Sequence, residues 1–329
     1  MAVIKKIAVL LFILLAGLLA YLAYWASQPL ATEVNKLIEF TIKPGSGVRS
    51  AMRQLQAGGV PASPVLMEML ARGTRRAASL KAGSYRLAAG ATPLSLLEQM
   101  VKGDTIKESL TIIEGWTFAQ MRAEVARQKW LTADTATLSA QALMDKVAPG
   151  YPAPEGLFYP DTYQFERGTS DLQIYQRAYA QMKKKLEQAW NQRAPNLPYD
   201  SLYEALIMAS IVEKETGKEA DRKRIAAVFV NRLKSGMLLQ TDPTVIYGMG
   251  IRFDGNIRRE DLQTDTPYNT YRHSGLPPTP IALPGMAALE AALNPALTND
   301  LYFVARGDGS SQFSENLADH NKAVNQYQR

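Results

Sequence analysis

A chain of 329 residues with 47% hydrophobic and 21% charged side chains is long and apolar enough for about two folded domains, which excludes disorder as its main state. It has no cysteine and only two histidines, which excludes thiol catalysis, disulfide scaffolds and cysteine-ligated zinc, and argues against a multi-histidine zinc site. The whole net charge of +6 is carried between Lys43 and Glu108, as a solvated basic face or as a surface for an anionic polymer or membrane.

In chain order, Lys5 and Lys6 precede an uncharged apolar run from Ile7 to Ala26. A helix of that length spans about 30 Å, the thickness of a bilayer core. A cleavage site after Ala26 would put Tyr24 where a small residue is needed, so the run reads as an uncleaved anchor rather than a signal peptide. Tyr21, Tyr24 and Trp25 suit the far interface, and the two lysines favour a cytoplasmic N-terminus. The rest of the chain should then fold outside the cytoplasm, which argues against nucleic acid as a partner.

Residues 27–37 read as a short tether. Leu37–Ile42 alternates as a strand, Lys43–Gly47 is a turn, and Val48–Ala57 is a helix ended by Gly58-Gly59. Ser63-Pro64 opens a helix to about Arg72, Ala82–Leu87 returns as a strand, and Thr92-Pro93 opens another helix. This is a small α+β module. Ser109–Ile113 is a further strand, followed by a turn at Glu114-Gly115-Trp116 and a helix. Gly156–Tyr163 reads as an aromatic loop, Asp171–Arg193 as a long helix and Pro195–Tyr199 as a linker.

Ser201 and Glu204 fit a capping box at the start of a helix that runs to Gly217. Apolar residues cover all its sides, so it should be buried. Its last turn carries Glu213 and Glu215, about 200° apart around the axis, so at most one faces a given cleft. The helix C-terminus and partial burial both disfavour a charged carboxylate, which suits a general acid. Capping, or pairing with Lys214, Lys218 or Arg222, is the equally open structural alternative. An amphipathic helix follows from Ala220 to Lys234, with Ile225, Val228, Phe229 and Leu233 inward. The segment from Leu239 to Gly248 mixes turn and strand signals, and Tyr268–Tyr271 with Gly275–Pro278 form a stiff, aromatic and polar loop region of a kind found both in sugar sites and in plain structural loops.

Ile211-Val212-Glu213-Lys214-Glu215-Thr216 resembles the signature of the endolytic murein transglycosylase, or YceG-like, family. Val230–Leu233, Leu239–Gly248, Tyr268–Tyr271, Gly275–Pro278, Asn294-Pro295, Leu301–Val304, Phe313–Asn316 and His320-Asn321-Lys322 follow in the same order, and Gly156–Tyr163 resembles a further block. The resemblance implies an α+β protein: an anchor over 1–30, a LysM-like module over 31–108 and a mixed α+β catalytic domain over 109–329. It implies cleavage of the MurNAc–GlcNAc β-1,4 bond within peptidoglycan glycan strands, leaving 1,6-anhydroMurNAc ends. The enzyme would sit in the inner membrane as a single-pass protein, facing the periplasm, with peptidoglycan synthases as partners.

The family's catalytic glutamate matches Glu215, directly before Thr216. Gln240, Thr241, Asp242, Tyr268, Asn269, Tyr271, Asn316 and His320 are the expected substrate-binding residues, with no metal and no cofactor. Two rival readings are a muramidase-type hydrolase with Asp242 as second carboxylate and a non-catalytic wall-binding scaffold. No Ser-x-x-Lys or His-Glu-x-x-His motif points to a peptidase.

Overall fold

In the computed structural model, which describes residues 1–30 and 37–328, the chain divides into two compact units. The first comprises residues 1–108 and 164–169, the second 109–163 and 170–328. The fold is α+β, with three two-stranded sheets among the described residues.

The first unit begins with helix α1 (Ala2–Ser27). Strand β1 (Glu39–Ile42), helices α2 (Val48–Ala57) and α3 (Pro64–Gly73), strand β2 (Gly83–Arg86) and helix α4 (Pro93–Lys102) follow. β1 and β2 pair antiparallel, with Phe40 opposite Tyr85 and their rings stacked at 5.4 Å. Local chemistry explains the helix ends. Thr92 caps α4 by accepting from the Ser95 N–H, and Pro93 follows in the first turn, where its missing N–H costs nothing. Gly103 ends α4 at a φ of +75°, a left-handed C-cap natural to glycine. Gly58 lies against Phe40, where a Cβ would come within 2.3 Å of the Phe40 side chain. The core is built from Phe40, Ile42, Met52, Leu55, Met67, Tyr85, Leu96, Leu97 and Met100, and it includes Leu22, Ala26 and Leu30 from the end of α1 and just beyond. Arg167 bonds Glu39 and Glu108, and Glu166 bonds Thr105 and Lys107, which ties residues 164–169 to this unit.

The expected tether over 27–37 lies partly outside the described residues, which omit 31–36. At its start Ser27 still belongs to α1 and Leu30 is buried.

The second unit runs from strand β3 (Lys107–Thr111), whose first two residues belong to the first unit, through helices α5 (Phe118–Ala126) and α6 (Ala140–Val147) to strand β4 (Thr162–Glu166), whose last three residues belong to the first unit. It continues through helices α7 (Asp171–Asn191), α8 (Leu202–Glu215), α9 (Glu219–Lys234), α10 (Asp242–Met249), α11 (Arg259–Gln263) and α12 (Met286–Leu293). Strands β5 (Tyr302–Ala305) and β6 (Ser311–Ser314), which pair antiparallel, and helix α13 (Leu317–Tyr327) complete it.

α8 is the central helix. Ala205 to Val212 are all buried, and α7, α9, α10 and α12 pack around it. Ser210, buried midway along it, is satisfied: its Oγ donates to Ile207 O and accepts from the Ile281 N–H, at 2.7 and 2.9 Å.

Three sequence expectations change. The capping box of α8 forms only half: Ser201 accepts from the Glu204 N–H, but the Glu204 carboxylate turns to the Asp200 N–H. Residues 242–249, read as turn and strand, are helical, because Thr241 and Pro243 provide a helix start that outweighs the β-branched Thr244, Val245 and Ile246. The loop expected through Tyr163 gives way to strand β4 from Thr162.

Candidate active site

The site lies at the C-terminal end of α8. Glu215 is its last helical residue, and Thr216 after it is extended. The Glu215 carboxylate accepts a hydrogen bond at Oε1 from the hydroxyl of Thr241, the buried N-cap of α10. Thr241 is fixed in turn. Its N–H donates to Thr270 Oγ1 at 3.1 Å, and its carbonyl accepts from Thr244 Oγ1 at 2.7 Å. Thr244 and Thr270 share a hydrogen bond at 2.9 Å, so these two hydroxyls lock the start of α10 to the loop at 269–271.

Next to Thr241, Gln240 adopts a φ of +50°, a left-handed conformation uncommon for a residue with a Cβ and typical of functional sites. Its N–H donates to Thr270 O at 3.1 Å and its side chain is exposed. Asp242 accepts from the Tyr271 hydroxyl at 2.6 Å.

Burial raises two carboxyls of this unit, Glu215 and Glu155, to about 7. For Glu215 burial is the main cause of the rise, the nearby Asp242 charge adds to it, and the Thr241 hydrogen bond and the Arg232 charge oppose it. A carboxyl that titrates near neutrality can give and take a proton under the same conditions.

Arg232 is the buried cation of this region. Its guanidinium donates to Leu239 O at 2.8 Å and Leu301 O at 2.7 Å, and lies 5.2 Å from the Tyr302 ring centroid. Tyr302 stacks on His320 at 5.1 Å. Burial and the Arg232 charge keep His320 below its ordinary range, which favours neutral imidazole. Arg232 escaped the sequence reading as a site residue, although a signal was present: it follows Ile225, Val228 and Phe229 at helical spacing, a lone cation on the inward face of α9.

Glu213 points elsewhere. Its Oε2 accepts from the Gly285 N–H at 3.0 Å, at the start of α12. A carboxylate there satisfies an unpaired helix N–H and meets the positive end of the dipole. The two carboxylates therefore have different surroundings, Glu213 tied to the start of α12 and Glu215 to Thr241.

Glu215, Thr241, Asp242 and Tyr271 come together, with Gln240 adjoining. Tyr268 and Asn269 shape the loop instead. Tyr268 shares a hydrogen bond with Thr279 and sets its ring edge-on to Tyr247. Asn269 is buried and spends its amide on Leu262 O, Thr264 O and the Tyr271 N–H. Asn316 caps α13 by accepting from the Asp319 N–H, and lines a cavity of about 530 Å³ with Phe313 and Tyr327. His320 joins the site only through the Tyr302–Arg232 stack. Glu155 was also missed. It is buried, accepts from the Phe118 N–H at 2.9 Å and the Tyr247 hydroxyl at 3.1 Å, and holds the far end of α10.

The model of the YceG-like family matches residues 40–326. The chain is 30% identical over 317 residues to a Bacillus subtilis protein named endolytic murein transglycosylase, covering 91% of this chain and 87% of that one. A Streptococcus pneumoniae protein of the same name is 29% identical over 97% of this chain, which spans 65% of that longer protein. A crystal structure of a YceG-like protein from Listeria monocytogenes superposes with a TM-score of 0.54 at 32% identity, over 87% of this chain and 99% of that one.

Proposed function

The chain belongs to the YceG-like family, and on that premise we propose that it is an endolytic murein transglycosylase with Glu215 as its catalytic acid and base. It cuts the MurNAc–GlcNAc β-1,4 bond inside glycan strands. Protonated Glu215 gives its proton to the glycosidic oxygen as the bond from C1 breaks, freeing the GlcNAc 4-hydroxyl. The resulting carboxylate takes the proton of the same MurNAc's C6 hydroxyl as that oxygen closes on C1. A 1,6-anhydroMurNAc end forms, no water is consumed and Glu215 is restored.

The observation that carries this reading is the setting of Glu215, a protein-enclosed carboxyl titrating at about 7 with one oxygen held by the Thr241 hydroxyl. A single group that both donates and accepts needs this balance. Gln240, Asp242 and Tyr271 line the approach and bind the sugar, while Tyr268 and Asn269 hold the loop that presents Tyr271.

In this reading α1 is an uncleaved anchor, 31–108 a LysM-like module and 109–329 the catalytic domain, exported to the periplasmic side of the inner membrane. Cleavage there ends the growth of nascent strands, alongside the synthases that make them.

A hydrolase is the second reading, favoured by one observation: Asp242 lies close enough to Glu215 to raise its pKa, and paired carboxylates are the usual hydrolase set. Product analysis separates the two. Anhydro ends support lytic cleavage, and reducing ends support hydrolysis.

A further inference from the structure

The last turns of α1 present two different faces. Leu22, Trp25 and Ala26, spaced i, i+3 and i+4, pack into the core of the first unit. Tyr21 and Tyr24, on the same turns, are 56% and 65% exposed. Just beyond, the Leu30 N–H donates to Ala91 O at 2.8 Å, which fastens the chain to the residues that open α4. Leu94, in the first turn of α4, is an exposed apolar residue.

Helix length then fixes a depth. The part of α1 free of the unit's core, from Ile7 to Tyr21, is about 22 Å long, and about 28 Å if Lys5 and Lys6 snorkel and the span starts at Val3. A bilayer core is about 30 Å thick. The free helix is therefore no longer than the hydrocarbon it must cross, so the turns that carry the unit's core residues lie at the outer lipid boundary. Tyr21 and Tyr24 mark the same level independently, as amphipathic rings that favour the interface.

Resting on the anchor reading above, we propose that the first unit is seated directly on the lipid surface by the end of α1, with the opening turn of α4 around Leu94 at headgroup depth. The partner is the bilayer itself. The anchor ends inside the core of the folded unit, so it sets the unit's height above the membrane rather than leaving it on a free tether. Cleavage after Ala26 would strip Leu22, Trp25 and Ala26 from that core, which gives the retained helix a structural role.

The absence of cysteine makes the test direct. Tyr21→Cys and Leu94→Cys variants of the full chain carry an environment-sensitive fluorophore in vesicles of phosphatidylethanolamine and phosphatidylglycerol, with and without bromine near the headgroup end of the acyl chains. Unchanged thermal melts establish that both variants fold. The expected result is quenching of the Leu94 label comparable with that of the Tyr21 label. A quenched Tyr21 label with an unquenched Leu94 label overturns the seating while the anchor stands. Loss of quenching at both positions sinks the anchor reading and the seating with it.

Discussion

The Thr241 hydroxyl and the Glu215 carboxylate, on helices that meet only in the folded chain, form the hydrogen bond around which the site is organised. One end is the C-terminus of a helix buried from Ala205 to Val212 and the other the N-cap of α10, so the geometry is carried by packed helices.

That bond makes a specific prediction. Thr241→Val removes a donor that favours charged Glu215, so the carboxyl rises further and the basic limb of the pH–rate profile moves to higher pH. A hydrogen bond to a charged group is worth about 1.5–3 kcal/mol, so kcat should fall by about tenfold or more through lost positioning. Thr241→Ser should restore both. A profile that stays in place in Thr241→Val would separate this hydroxyl from the titration of Glu215.

Stability should depend on pH in an unusual sense. Glu215 titrates near 4.5 in the unfolded chain and at about 7 in the folded one. Between these values the folded state keeps a proton that the unfolded state has released, so this group's contribution to stability falls as pH rises from about 4.5 to 7 and is level outside that window. Glu215→Gln removes the penalty. In denaturant melts it should be more stable than wild type at pH 8, by about 1–3 kcal/mol, with no such gain near pH 4. Equal stability at both pH values would contradict the raised carboxyl.

Asp242→Asn tests the hydrolase reading. It removes a negative charge near Glu215 while its amide oxygen can still accept from the Tyr271 hydroxyl, so the basic limb should move to lower pH. Products should still carry anhydro ends. Abolished turnover with the Glu215 titration in place would assign Asp242 a direct chemical role.

Ion pairing divides the basic residues of the first unit into two groups. Arg72 pairs with Glu68, Arg76 with Glu98, and Lys81 donates to Lys102 O, whereas Arg53 and Arg75 are exposed with no ion pair among the described residues. Arg53→Glu with Arg75→Glu should therefore weaken binding to anionic vesicles more than reversal of Arg72 and Arg76, and the difference should shrink at high salt. Co-sedimentation across a salt series checks this.

Much of the fold was written locally. Gly58-Gly59, Ser63-Pro64, Thr92-Pro93 and Ser201 mark helix ends that the structure reproduces, because capping and turn chemistry act between near neighbours. α12 was not legible: Met286–Leu293 packs among α7, α8 and α9, and Glu290, its one polar residue, is too little to give it a period. The site was legible in part. Adjacent motif residues named Glu215, Thr241, Asp242 and Tyr271, but which amides were free required the fold. Asn269 looks like a sugar-binding amide in sequence and is spent on three partners within its own loop. Glu155 depends on Tyr247, a partner remote in sequence that no local pattern reveals.

Mass spectrometry of products from purified glycan strands tests the role of Glu215 most directly. Wild type should produce 1,6-anhydroMurNAc ends. Glu215→Gln, folded and anchored, should lose at least about 10²–10⁴-fold of that activity, because the amide can neither deliver the proton nor take it back. Glu213→Gln keeps an acceptor for the Gly285 N–H and should remain active. Anhydro ends released at the normal rate by Glu215→Gln, or reducing ends from wild type, would contradict that role.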